Sequence, residues 1–297
     1  MGHKKTIALL GATTGLSYLA YRIIGDEMIN RIFTRKEYLE ETEEKYLDWI
    51  SASNASQIKV KSFDGLKLNA YDVHNHDDDR YMIMVHGSSS NKSALYPRAY
   101  EFDKMGYNLL LIDQRAAGDS EGEYCTYGVK EAQDLQIWIS YLTKKYPDVR
   151  ICLYGLSLGA VTVMMSAAYE LPENVRCIVE ESGFSSLEEE LAYVIKKDYK
   201  IYFTYPVLKM LEEKIGSRFG MRYSDASAKI CLENNEVPIL FIHGEKDEIV
   251  PFDMAKILYN HNKGIKKFYP IAEAGHCQAD LDMNYYTNVD AFISSCL

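Results

Sequence analysis

The stretch "VRICLYGLSLGAVTVMM", Val149 to Met165, places one serine between two glycines, with an apolar run on either side. The run up to Tyr154 reads as a buried strand and "AVTVMM" as an apolar helix, so Gly155-Leu156-Ser157-Leu158-Gly159 is the turn between them. A turn that only reverses direction has no need of this arrangement. A turn that holds a hydroxyl in a strained, exposed position does, because side chains at either flank would collide with the strand and the helix. It would expose the Ser157 hydroxyl at the carboxyl edge of a sheet and aim the free N–H groups of the next helix at the same point. The pattern GxSxG is weak by itself; its place between strand and helix makes Ser157 a candidate nucleophile.

Working outward, "YMIMVHG", "YNLLLID", "VRCIVEES", "VPILFIHG" and "IKKFYPI" are further short apolar runs, separated by helix-like segments such as 129–146 and a final one from about Leu281. Near-continuous apolar strands alternating with helices predict an α/β fold with a mostly parallel sheet covered on both faces. The interval Phe184 to Asn235 is too long for one crossover and predicts an inserted helical element. Ahead of these runs, "QIKVKSFDGLKLNAYDV" alternates in period two around Asp64-Gly65, a hairpin signal.

A serine hydroxyl becomes a useful nucleophile when a base takes its proton and an acid orients that base. In folds with this turn the order along the chain is Ser, Asp/Glu, His, each from a loop after a strand. Asp247 follows the run "VPILFIHG" and His276 follows "IKKFYPI", where that geometry needs them. Asp253, Asp280 and Asp282 are alternative acids, but none directly follows a strand, and they read as helix caps. The remaining histidines, His86 and His243 among them, read as structural or solvated. An oxyanion needs two backbone donors: the amide of Leu158, and one from the loop after "VHG", where Ser88 leads and Ser89 is the fallback.

The landmarks "VHGSSSN", "LLIDQRAAGDSEG", "LYGLSLGA", "ILFIHGEKDEIVP" and "EAGHCQ" together resemble the α/β-hydrolases, close to the serine aminopeptidase-like, cinnamoyl-esterase-like and monoglyceride-lipase-like branches. The resemblance covers about residues 57–297. It implies Ser157 as nucleophile, Asp247 as acid, His276 as base, an acyl-enzyme, and no cofactor or metal. It also implies that Asp113, Arg115, Gly118 and Ser120 hold a loop beside the site, and that the insertion at about 184–235 is a cap. The cap's Tyr193, Tyr199, Tyr202, Phe203, Tyr205, Leu208 and Met210 either form an apolar pocket or pack the cap onto the domain. An aminopeptidase would need carboxylates facing the site, and Glu180, Glu181 and Glu188 to Glu190 are the candidates, although Glu188 to Glu190 read more readily as a solvated helix start.

Of the 297 residues 47% are hydrophobic, and the net charge is −10, an acidic balance that disfavours nucleic-acid partners. The six cysteines lack metal-ligand spacing, and disulfides and structural zinc are not expected. Residues 1–25 hold "TIALLGATTGLSYLAYRII", Thr6 to Ile24, uncharged until Arg22 and preceded by Lys4 and Lys5. This reads as an uncleaved signal anchor through residues 6–24 with the main domain outside; the alternatives are a helix packed on the domain or a partner, in a cytoplasmic chain. The Gly11/Gly15 spacing and the Gly2/Thr6 myristoylation pattern carry little weight. Residues 26–56 read as a helical, acidic lead-in. The expectation is a serine hydrolase acting on small-molecule carboxylic esters. An aminopeptidase, an acyltransferase and a non-catalytic membrane-tethered binding protein are the alternatives.

Overall fold

Strands buried on both faces need apolar side chains at odd and even positions alike, and the central runs supply them. Tyr81, Ile83 and Val85 enter one apolar cluster while Met82 and Met84 enter the other. The computed structural model of the protein describes residues 23, 25–34 and 42–297. Apart from Ile23, the apolar N-terminal segment lies outside the described residues, as do its glycine motifs. Among the described residues, no helix is long and apolar enough to cross a membrane.

The strands are β1 (Ala55–Lys61), β2 (Lys67–Val73), β3 (Arg80–Val85), β4 (Asn108–Asp113), β5 (Arg150–Leu156), β6 (Val175–Glu181), β7 (Ile239–Gly244) and β8 (Lys266–Ile271). They form one eight-stranded sheet in the order β1-β2-β4-β3-β5-β6-β7-β8. β1 and β2 pair antiparallel, β2 pairs antiparallel with β4, and β3 to β8 run parallel. This is the mostly parallel sheet expected from the runs, and the fold is that of an α/β-hydrolase.

The helices are α1 (25–33), α2 (Glu44–Ala52), α3 (Tyr96–Lys104), α4 (Val129–Lys145), α5 (Leu158–Met165), α6 (Leu187–Tyr199), α7 (Tyr205–Phe219), α8 (Ala228–Cys231), α9 (Phe252–His261) and α10 (Tyr285–Cys296). One face of the sheet packs against α1, α4, α5, α9 and the insertion; α2, α3 and α10 cover the other. The insertion after β6 holds α6, α7 and α8. The last helix starts at Tyr285 rather than near Leu281, because residues Ala279–Leu281 form a separate short turn of helix.

α1 was legible only as a lead-in, yet its Met28, Ile29 and Phe33 are buried in the main cluster. Phe33 stacks on Phe219 of α7 with ring centroids 4.8 Å apart. The backbone of Phe33 accepts from Cys125 N–H at 3.0 Å, and that of Ile32 from the Tyr127 hydroxyl at 2.9 Å.

Candidate functional site

Ser157 sits at the end of β5 with φ 52 and ψ −115, a strained left-handed geometry for a residue with a side chain. The neighbouring backbones explain the glycines. A Cβ at Gly155 would lie 2.3 Å from the Gly159 carbonyl, and one at Gly159 would lie 2.0 Å from the carbonyl of Val85. Neither position tolerates a side chain, so strand and helix meet closely and push the serine outward.

The loops after β7 and β8 bring two more side chains to it. His276 Nε2 lies 2.9 Å from Ser157 Oγ, and His276 Nδ1 lies 2.8 Å from Asp247 Oδ2. Asp247 Oδ1 accepts from the N–H groups of Ile249 and Val250, both at 2.9 Å. Burial alone would raise the Asp247 carboxyl. Donors from His243 and His276 outweigh it and hold the group well below the usual carboxylate range. The structure thus joins Ser157, His276 and Asp247 in one hydrogen-bonded line, and Ser88 and Leu158 line one cavity next to it. Gly87 places that loop against the serine: a Cβ there would lie 3.4 Å from Ser157 Cβ.

Two features of this site were not read from the sequence. His243 is fully buried and its Nε2 donates to Val250 O at 2.9 Å, with Asp247 Oδ2 at 3.2 Å, so Asp247 lies between two imidazoles. The spacing His243/Asp247, four residues across a tight loop, was the available signal. The second is α1: Ile32, Phe33 and Thr34 line the cavity beside Ser88, which measures about 30 Å³. A roomier cavity, about 360 Å³ beside His74, Tyr81 and Tyr146, lies at the opposite edge of the sheet.

His86 keeps a structural role: its Nδ1 donates to Gly87 O at 2.7 Å and its Nε2 accepts from Gln114 N–H at 3.0 Å. The 113–120 loop is tied to itself and its surroundings. Asp113 accepts from Lys92 and from the Asp119 N–H, Arg115 bridges Asp64 and Asp134, Gly118 lies against the Asp113 carboxylate, and Ser120 donates to Asp113 O. Asp280 is not a helix cap: its Oδ1 lies 2.9 Å from Arg98, in a buried network beneath His276.

Glu180 is wholly buried under α5, one oxygen accepting from Gly183 N–H at 3.1 Å. Burial pushes its carboxyl up to about 8, against smaller opposing pulls from His243 and that N–H. The folded chain therefore keeps a proton that the unfolded chain releases near 4.5. Stability must fall as pH climbs between those values, since the native state binds more protons there. Glu180→Gln removes this contribution. Its melting temperature relative to wild type is expected to rise by several degrees between about pH 5 and about pH 9, measured by thermal unfolding. A pH-independent difference would refute the buried neutral carboxyl.

Sheet order, elbow and loop placement define a hydrolase of the α/β-hydrolase type. Residues 32–201 match the family described as X-Pro dipeptidyl-peptidase (S15 family), and the chain belongs to it. The uncharacterized protein YqkD of Bacillus subtilis is 28% identical over 229 residues, covering 77% of this chain and 74% of its own. An uncharacterized membrane protein of Saccharomyces cerevisiae is 24% identical, covering 77% and 76%. The solved Pyrococcus furiosus esterase Pf2001 superposes with a TM-score of 0.70 at 23% identity, covering 89% of this chain and 98% of that one; at that identity the likeness shows the fold.

Proposed function

We propose that this chain cleaves carboxylic esters through an acyl-enzyme on Ser157. In this reading the Ser157 oxygen attacks the ester carbonyl while His276 Nε2 takes its proton, and Asp247 holds the imidazole and its positive charge. The N–H groups of Ser88 and Leu158 receive the negative oxygen. His276 returns the proton to the departing alcohol, and water then attacks the acyl group by the same route in reverse. The observation that carries the reading is the 2.9 Å and 2.8 Å pair of contacts about His276, beside a serine held in a left-handed turn.

The insertion serves as the cap in this proposal. A cavity of about 190 Å³ between α1 and α6, lined by Met28, Ile32, Leu191 and Ile195 together with Arg31 and Asp198, shares Ile32 with the small cavity beside Ser88. It suits an apolar acyl chain. Residues 6–24 would anchor the chain in a membrane, with the catalytic domain outside; that the yeast relative is a membrane protein supports the membrane part.

The family description favours a second reading, a peptidase that binds a substrate ammonium. Most of the carboxylates it would use are engaged. Glu181 pairs with Arg98, Glu189 with Lys229, and one oxygen of Glu180 accepts from Gly183 N–H. Glu190 has no partner for one buried oxygen, as Glu180 has none for its second, and burial pushes both carboxyls up to about 8, with Asp247 adding to it at Glu190.

Turnover of p-nitrophenyl esters from acetate to laurate, beside Xaa-Pro p-nitroanilides, tests both. For the esterase, kcat/KM should climb by roughly threefold to fourfold per added methylene, about 0.8 kcal/mol each, until the cavity is filled. Anilide turnover exceeding ester turnover would replace the esterase with the peptidase.

A further inference from the structure

The link between α6 and α7 carries the largest exposed aromatic group in the insertion. Tyr202, Phe203 and Tyr205 are 77%, 74% and 66% exposed, and Tyr199 and Ile201 beside them are also exposed. Water is a costly neighbour for such a cluster, and contiguous apolar surface of this kind marks an interaction site. Its surroundings are basic: residues 196–209 hold four lysines and one aspartate in a chain of net charge −10. Lys196, Lys200 and Lys209 are exposed around the aromatic side chains, and Lys197 reaches toward Glu248.

The course of α1 says what faces this loop. Gly25 abuts Met210 and Lys214, Asp26 pairs with Lys214, Asn30 accepts from Arg218, and Phe33 stacks on Phe219. The contacts advance together along both helices, so α1 and α7 run parallel. The beginning of α1 therefore points toward Tyr205, the end of α7 that bears the aromatic loop. Residues 6–24, uncharged until Arg22, precede that end of α1 in the sequence.

We propose that the loop 199–205 is a membrane-docking surface, its aromatic rings seated at the headgroup level of a phospholipid bilayer and its lysines against anionic lipid. Amphipathic rings with flanking cations are what this boundary favours. The proposal rests on the anchor reading of residues 6–24 and is independent of the ester chemistry. It would set the link between α6 and α7 against the bilayer.

The test uses the full chain in vesicles of phosphatidylcholine and phosphatidylglycerol, with and without brominated acyl chains. A Phe203→Trp variant reports on the loop, and Ile265→Trp, at an exposed position on the opposite edge of the sheet, is the control. Each is read against the emission of wild type. Flotation with the vesicles reports the anchor separately. The expected result is a floating chain whose Phe203→Trp indole shifts to the blue and loses most of its emission to bromine, while the Ile265→Trp indole does neither. A floating chain with an unquenched Phe203→Trp indole overturns the docking surface and leaves the anchor standing. A chain that does not float removes both. Equal quenching at the two positions means adsorption without orientation, and a blue shift before lipid is added, unchanged by bromine, means that the chain itself covers the loop. Either overturns the proposal.

Discussion

Ser157→Ala is expected to lower kcat for p-nitrophenyl hexanoate by about three to four orders of magnitude or more, with urea unfolding close to that of wild type. The hydroxyl is the only atom that changes, and the backbone that holds it is fixed by contacts the substitution leaves intact. Ser157 N–H still donates to Glu181 O at 2.8 Å, and its carbonyl still accepts from Val161 N–H at 3.1 Å. Alanine must adopt the same left-handed φ, so the strain is unchanged. What disappears is the proposed acyl acceptor. His276 then has no proton to take from the chain, and only direct attack by water, aided by the Ser88 and Leu158 amides, would remain. Residual turnover within tenfold of wild type would mean that a different nucleophile, or none, does the work. A large loss accompanied by unfolding would say nothing about chemistry, which is why the urea midpoint belongs to the measurement.

How much of this site the sequence disclosed follows from which contacts are local. The central strands were visible because burial on both faces leaves no polar alternation, and the elbow was visible because two glycines flank one serine at a strand end. Asp247 and His276 could be placed because each follows a recognisable apolar run. The supporting residues were not visible, since their partners lie far along the chain. Arg98 stands in the helix pattern "YPRAYEF", where a cation reads as the solvated face; its partner Glu181 is 83 residues away. The run Glu188 to Glu190 reads as an exposed helix start, yet only Glu188 is exposed, because the carboxylates behind it turn toward Lys229 and the domain. α1 was obscured differently. Its apolar residues Met28, Ile29, Ile32 and Phe33 have helical spacing, but nothing in that spacing tells that the complementary face is α7, nearly two hundred residues later.

Arg98→Met and Glu181→Leu are each expected to cost about 3–5 kcal/mol in urea unfolding, and the double variant less than the sum of the two. Arg98 is almost wholly buried. Its guanidinium lies 2.8 Å from Glu181 Oε1, 2.8 Å from the Cys277 carbonyl and 2.9 Å from Asp280 Oδ1. Glu181 in turn accepts from the hydroxyls of Tyr154, at 3.0 Å, and Tyr285, at 2.7 Å. Removing Arg98 strands the Glu181 charge where water cannot reach it, and removing Glu181 leaves Arg98 only the partly exposed Asp280 to pair with, whereas removing both leaves a cavity that apolar side chains partly fill. The network also has a target. Cys277 follows His276 directly and holds a left-handed φ of 53, and its carbonyl bonds to Arg98 while its N–H bonds to Ser182 Oγ at 3.2 Å. The loop that presents His276 is therefore pinned from below by Arg98. Assayed well below its melting temperature, Arg98→Met should lower kcat by about 10- to 100-fold with KM little changed, since an imidazole displaced by about 1 Å no longer lines up with the serine. Unchanged kcat in the folded variant would restrict Arg98 to stability. A fall shared equally by kcat and kcat/KM would identify it as a residue that positions His276, one that never touches the substrate.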